Sequence, residues 1–387
     1  MTNTSHLPLV AVLACAILPV SSVRAANTST GVPAWGIGPF TRPPDAQPVI
    51  KPDPASVFNC PMRKTPVHWE AKHTFNPAAI VKDGKVYVLY RAEDDNGAGI
   101  GGFTSRLGLA VSEDGIHFKK MPEPVVFPAE DAQKENEWEG GCEDPRLAET
   151  EDGTYVLLYT QYKRIKKGGG AGTKLGMATS KDLLHWTKLG PVVGVLPSGD
   201  KVIPNKSASL VCKVVGDRLI AAKINGRYWL YVGEKKIILM SSEDLLKWET
   251  KFGGRGPGLF DKREGMFDSG FPEGGPPAIL TDKGIVVLYN GKNGRTALDS
   301  IGVGSGAYSG GQILFSATDP SKILDRAELP FIKPELPWEK SGQYASGTTF
   351  VEGLVLFKNQ WLLYYGCADT FVGVATAPVR ADQLKTP

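Results

Sequence analysis

The sequence predicts an all-β fold, a five-bladed β-propeller, on three observations. A strand-like phrase recurs five times along the chain. Each copy opens on aromatic and β-branched residues, the composition of a buried strand. Helical periodicity is absent over any comparable length.

The copies follow in order. KVYVLYRAED (85–94) precedes RLGLAVSEDGIHF (106–118), and TYVLLYTQY (154–162) precedes KLGMATSKDLLHW (174–186). RYWLYVGE (227–234) precedes KIILMSSEDLLKW (236–248). GIVVLYNGKN (284–293) and QWLLYYGCAD (360–369) open two more units, the last running into FVGVATAP (371–378). The starts at 85, 154, 227, 284 and 360 lie 57 to 76 residues apart. Strand-rich repeats of that period suit four-stranded blades arranged radially, which protects their edges. The rival is a pair of β-sandwiches whose hairpins happen to look alike.

Ahead of the repeats, LPLVAVLACAILPV (7–20) is an apolar run followed by SSVRA, with small residues at 21, 22 and 25. That pattern predicts a signal peptide, residues 1–25, cleaved after Ala25, and hence a periplasmic or secreted protein. VLAC (12–15) is a poorer match to a lipoprotein box, because Leu13 fits badly and the apolar run continues past Cys15. No later stretch is long and apolar enough to span a membrane. Residues 26–65, rich in Pro, Thr, Asn and Gly, read as an extended arm, and 66–387 as the propeller.

Lys+Arg 44 against Asp+Glu 41 leaves a net charge of +3. No run of one sign offers a nucleic-acid or membrane-surface footprint. Cys60, Cys142, Cys212 and Cys367 have no zinc-like spacing, so no metal or cofactor is expected, and each reads as a buried thiol. KKGGGAGTK (166–174) lacks the Ser or Thr that a phosphate loop requires and leads into a strand, so it reads as a hairpin tip.

Polar groups stand where the first strand of each unit ends: Arg91, Glu93 and Asp94; Gln161; Glu234; Asn290; Cys367 and Asp369. In a propeller such ends converge on one axis, so residues hundreds apart in sequence would build one polar pocket. The blander reading makes each a solvated turn.

With FNPAAI (75–80), LYRAED (89–94), CEDPRL (142–147), IPNKSASL (203–210), EGGPPAI (273–279), LYNGKN (288–293), ILDRAELPFIKPE (323–335) and YYGCAD (364–369) in this order, residues 73–380 resemble glycoside hydrolase family 130. These are the five-bladed β-mannoside phosphorylases and β-mannosidases. The resemblance implies inverting chemistry on β-linked mannose, with a manno-oligosaccharide as partner. It makes Asp144 the general acid, whose proton passes through a sugar hydroxyl. It places Arg91, Asp94 and Asp369 on the terminal mannose and Arg146 and Lys206 near the reacting centre, with Asn76, Tyr289 and Asn290 as further substrate-binding candidates. Pro145 is expected to keep Asp144 extended. Glu143 or apolar walls are expected to raise its pKa, as a proton donor needs.

Two departures bear on the nucleophile. Tyr289-Asn290-Gly291 stands where the phosphorylases tend to read Tyr-His-Gly, and Glu234 where they present basic groups. Glu273 adds a further carboxylate. Carboxylates repel a phosphate but position water, so the expected activity is release of terminal mannose by hydrolysis, with Glu234 or Glu273 as base. Inverting hydrolysis needs acid and base roughly 6.5–9.5 Å apart. Phosphorolysis using inorganic phosphate is the alternative; a non-catalytic carbohydrate-binding propeller and an arabinanase-like enzyme are the others. Trp138, Trp229 and Trp338 are candidates for stacking on sugar. The loops 254–271 and 331–344 are candidate walls. The expected enzyme is β-1,2-mannosidase-like.

Overall fold

The computed structural model describes residues 1–2, 32–165, 172–294 and 302–384. Beyond Thr2 the expected leader lies outside these residues, as do 166–171 of the Gly-rich tip. The regular structure of the described chain is nearly all strand, with helix confined to short pieces such as Lys134–Glu137. No described helix is long and apolar enough to cross a membrane.

The strands form successive antiparallel sets. His73–Lys82, Lys85–Glu93, Ser105–Ser112 and Lys119–Lys120 make the first. Gly141–Glu149, Tyr155–Tyr162, Thr173–Ser180 and Thr187–Pro191 make the second. In the third, Ala208–Val215 leads to Arg227–Val232, Ile238–Ser242 and Trp248–Phe252. In the fourth, Phe271–Gly274 and Ala278–Thr281 both pair with Gly284–Lys292, followed by Tyr308–Phe315 and Ile323–Arg326. Thr349–Phe357, Gln360–Cys367 and Phe371–Pro378 make the last, against which the arm lays Thr41 opposite Thr376 and Ile50 opposite Val372.

Packing explains the repeated phrase. In four sets a tyrosine of the second strand pairs with a glycine of the third: Tyr90 with Gly108, Tyr159 with Gly176, Tyr289 with Gly311 and Tyr365 with Gly373. A Cβ at any of these glycines would stand 2.4 to 3.0 Å from the tyrosine ring, so only glycine leaves room for it. Each tyrosine hydroxyl donates to a buried acid: Glu70 at 2.8 Å, Glu137 at 2.6 Å, Asp268 at 2.7 Å and Glu339 at 2.8 Å. Each acid is neutralised by a base at the outer edge of its set, Lys120, Lys188, Arg326 and Arg42 respectively. Arg42 follows Thr41 in the arm, so the arm supplies for the last set what an outer strand supplies for the others. The third set departs, its Tyr231 donating to the Pro320 carbonyl at 2.8 Å.

The Ser-x-Asp turns that end the third strands also repeat. The hydroxyls of Ser112 and Ser180 accept from Gly115 N and Leu183 N. Asp114, Asp182 and Asp244 each accept the amides two and three residues on, which closes the turn without a partner strand. Apolar faces of neighbouring sets fill the space between them, with Trp69, Trp361 and the four tyrosines fully or nearly fully buried. Each fully buried Leu or Val there contributes roughly 1.5–3 kcal/mol. Cys60, Cys142, Cys212 and Cys367 are buried and unbridged, packing as small hydrophobes.

The opening strands of the sets adjoin one another, Thr349–Phe357 against His73–Lys82 and the latter against Gly141–Glu149, with Ala208–Val215 beside Ala278–Thr281. The innermost strand is therefore the one before each repeated phrase. Because it runs antiparallel to the next, its beginning lies beside that strand's end. Short motifs far apart in each unit, such as Asn76-Pro77 and Arg91, thereby reach the same rim.

Candidate active site

A cavity of about 270 Å³ opens at that rim, lined by Asn76, Arg91, Glu143, Asp144, Lys206, Glu273 and Asp369 among the polar groups. Phe75, Tyr162, Tyr308, Tyr344 and Phe350 supply its aromatic wall.

Asp144 is not extended. Its φ is +47°, at a bulge where the register shifts between Glu143 and Arg146. Asn76, also before a proline and at a bulge, has φ +46°. Left-handed non-glycine residues cost of order 1–3 kcal/mol each and persist where surroundings over-determine them. Here the two bulges turn the side chains to meet, Asn76 Nδ2 donating to Asp144 Oδ1 at 2.8 Å. The proline restricts Asp144, but the bulge decides where it points.

Arg91 organises one side. Its guanidinium lies 2.7 Å from Glu93, 2.8 Å from Glu143 and 3.2 Å from Asp144, over the Phe75 ring. Ser105 Oγ bridges, accepting from Arg91 Nε at 3.0 Å and donating to Glu143 at 3.2 Å. Gln343 donates to Glu93 at 3.0 Å and to the Asp369 carbonyl at 3.0 Å.

Lys206 organises the other side. Its Nζ stands 3.1 Å from Glu273 Oε1 and 3.6 Å from Glu234 Oε1. Ser207 donates to the same Glu273 oxygen at 2.6 Å, whereas buried Glu273 Oε2 has no hydrogen-bond partner. Glu234 is bridged backbone to backbone with Glu273, and Asn205 lies 3.5 Å from its carboxylate. Glu234 is not on the cavity wall.

The protonation pattern differs from the sequence expectation. Burial pushes Asp144 up, but Arg91, Lys206, Arg146 and the Asn76 hydrogen bond outweigh it and hold the carboxyl below its ordinary value. The raised group is its neighbour: burial, with the charges of Asp144 and Glu93, lifts Glu143 to about 7 against the pull of Arg91. The same causes lift Asp369 to about 7. Burial also raises Glu273, opposed mainly by Lys206 and reinforced by Glu234. Glu143 and Asp144 both face Arg91, so their titrations are linked, and the proton resides on Glu143.

Four expected ligands lie off the cavity wall. Asp94 gives one oxygen to Arg106 at 3.0 Å and the other to the amides of Asn96 and Thr104, so it braces the loop after its strand. Tyr289 is the fourth set's copy of the tyrosine–acid module, donating to Asp268 behind the wall. Asn290 clasps the backbone of Val351, accepting from its amide at 2.7 Å and donating to its carbonyl at 3.0 Å. Arg146 lies beneath the cavity, donating to the carbonyls of Asp144 and Gly274, each at 2.8 Å.

The sequence alone did not single out Tyr308 and Tyr344, which line the wall. Trp138, Trp229 and Trp338 do not line the cavity; Trp338 stacks on Tyr365 instead. Of the two candidate loops, 331–344 does reach the wall through Tyr344, while Arg263 and Asp268 of 254–271 pack against Tyr289. The signal for Tyr308 was its register opposite Lys292, at the same strand end as the motif residues.

A family model described as beta-1,4-mannooligosaccharide phosphorylase matches residues 41–382. A 1,2-beta-oligomannan phosphorylase from Thermoanaerobacter sp. (strain X514) is 34% identical over 323 residues, 82% of this chain and 94% of that protein. Among solved structures, a putative glycosidase from Bacteroides thetaiotaomicron VPI-5482 is 50% identical with a TM-score of 0.84, covering 90% of this chain and 99% of the other. Another, from work on glycoside hydrolases of the same family that target β-1,2 mannosidic linkages in Candida mannan, is 46% identical with a TM-score of 0.84, covering 92% and 98%.

Proposed function

The chain belongs to glycoside hydrolase family 130 and processes mannosides, and from that premise we propose that it is an inverting β-mannosidase releasing terminal mannose from β-1,2-linked manno-oligosaccharides. The observation that carries hydrolysis is the charge around Lys206. Three cations, buried Arg91 and Arg146 and partly exposed Lys206, face seven carboxylates, Glu93, Glu143, Asp144, Glu234, Glu273, Glu352 and Asp369. Even with the four raised carboxyls protonated, these three cations are matched by the remaining carboxylates and leave no net positive charge of their own for a phosphate dianion, although Lys292, over the rings of Tyr308 and Tyr344, is a further cation at the wall. Such an anion needs charge-assisted donors that are free to receive it.

In this reading Arg91, Asn76 and Asp369 hold the terminal mannose. Asp144 is the acid toward the leaving oxygen through a sugar hydroxyl, its proton supplied by neighbouring Glu143, which holds one to about 7. Glu273, on the wall with one carboxylate oxygen free, takes the proton of the attacking water, and it is favoured over Glu234, which does not line the cavity. The water's oxygen bonds to the anomeric carbon as the glycosidic bond breaks, so mannose leaves with inverted configuration. The linkage rests on the β-1,2 specificity in the descriptions of the relatives at 34% and 46% identity.

Phosphorolysis is the second reading, favoured by the name of the 34% identical relative and of a 30% identical beta-1,2-mannobiose phosphorylase. Incubation with β-1,2- and β-1,4-mannobiose, with and without phosphate, separates the two. Mannose released equally in both conditions supports hydrolysis; mannose 1-phosphate formed only with phosphate overturns it.

The five adjoining inner strands support a five-bladed propeller with the arm completing the last blade. The apolar run at 7–20 followed by small residues supports export, with the mature chain starting at Ala26. Amino-terminal sequencing of protein recovered from outside the cytoplasm tests this.

A further inference from the structure

Glu352 lies on the inner strand Thr349–Phe357, at a bulge where the register shifts between Val351 and Gly353. It is fully buried, and neither carboxylate oxygen makes a hydrogen bond. One polar group touches it: Arg146 Nη2, 2.9 Å from Glu352 Oε1. Buried acids left in this state cost free energy, so their retention calls for a reason.

The remaining contacts of Arg146 supply one. Its Nη1 donates to the carbonyl of Asp144 at 2.8 Å, Nη2 to that of Gly274 at 2.8 Å, and Nε lies 3.3 Å from that of Gly275. Gly274 follows Glu273 directly. One planar guanidinium thus ties the strand of the acid to the strand of the base, and Glu352 bears on it from a third strand. The bulge that delivers Glu352 is held in turn, because Asn290 clasps Val351 and pairs in register with Glu273. A side chain on Gly353 would press on the Pro77 carbonyl at 2.9 Å, next to Asn76, so the bulge is seated against the acid's own partner.

We infer that Glu352 is a positioning residue for mannoside cleavage: acting through Arg146, it sets the distance between Asp144 and Glu273. It touches no substrate-facing surface, and Arg146 is its strut. The inference rests on the assignment of Asp144 and Glu273 as acid and base, but not on whether water or phosphate attacks. Burial raises the Glu352 carboxyl well above the ordinary range, partly offset by Arg146. A neutral amide is accordingly its closest substitute.

The test compares Glu352→Gln with Glu352→Ala, following disappearance of β-1,2-mannobiose so that either product counts. Displacing a reacting group by about 1 Å costs on the order of 10²-fold in rate. Glu352→Ala is expected to lower kcat about 100-fold with KM changed less than threefold, while Glu352→Gln retains kcat within about threefold. A crystal structure of each variant gives a readout independent of turnover: the Asp144–Glu273 carboxyl separation changes in the alanine variant and not in the glutamine one. If the alanine variant does not fold, Glu352→Asp, one methylene shorter, takes its place. Wild-type separation and kcat in the shortened variant overturn the inference, as does a fall in KM-controlled binding alone. Failure of the wild-type protein to cleave any mannoside would sink the assigned function instead, and the separations would still decide the role of Glu352.

Discussion

Lys206 Nζ stands 3.1 Å from Glu273 Oε1, and Ser207 donates to that same oxygen, which leaves the second oxygen of Glu273 unpartnered in a buried site. A carboxylate held by one oxygen and free at the other is poised to accept a proton from a small nucleophile. Glu273→Gln removes that capacity and keeps the shape. We expect kcat to fall about 10³-fold, against about tenfold for Glu234→Gln, since general-base contributions run to roughly 10²–10⁴. Steady-state kinetics on β-1,2-mannobiose decides; a larger loss for Glu234 would exchange their roles.

Asp144→Asn keeps the Asn76 contact but carries no transferable proton. The expected loss in kcat is about 10²–10⁴-fold with little change in KM. Wild-type turnover in this variant would remove Asp144 from the chemistry.

The pH dependence follows from Glu143 and Asp369, which hold protons to about 7 in the folded protein, above their ordinary 4.5 and 3.8. Between those values the folded chain binds more protons than the unfolded one, so stability from these groups is full at low pH and lost as pH rises through about 7. Melting temperature measured from pH 4.5 to 8 is expected to fall across that window. Glu143→Gln is expected to flatten the slope. Activity, which draws on the Glu143 proton, is expected to decline above about pH 7 as well.

Tyr289 was expected at the sugar, yet its hydroxyl serves Asp268. Tyr289→Phe is therefore expected to leave kcat/KM within about twofold while lowering stability by about 1–3 kcal/mol, the cost of a buried acid losing a donor. Denaturant unfolding and kinetics on one preparation distinguish this from a binding role, for which kcat/KM would fall with stability unchanged.

Arg42 closes the last set through a bidentate pair with Glu339, Nε at 2.6 Å and Nη2 at 2.9 Å. Arg42→Ala leaves a fully buried carboxylate without its cation, which costs about 3–5 kcal/mol. The unfolding midpoint should drop accordingly while turnover at low temperature persists. An unchanged midpoint would mean the arm does not hold the last set.

The sequence alone determined the strands, their order and the motif-bearing ends. Those signals are carried by neighbours in one sheet: a tyrosine demands a glycine one strand away, and Ser-x-Asp closes its own turn. Arg91 and Asp369 of the wall are legible at the ends of the repeated strands, while Asn76, Asp144, Lys206 and Glu273 come from the motifs that carry the family resemblance. Only the tertiary structure decided which strand is innermost, why Asp94, Tyr289 and Asn290 serve the scaffold, and which carboxyl keeps its proton. Those outcomes depend on bulges that turn a side chain inward, and on burial beside charges from distant segments. Glu143 is raised and Asp144 lowered although they are adjacent in sequence, because Arg91, Asn76, Lys206 and Arg146 reach them unequally in space.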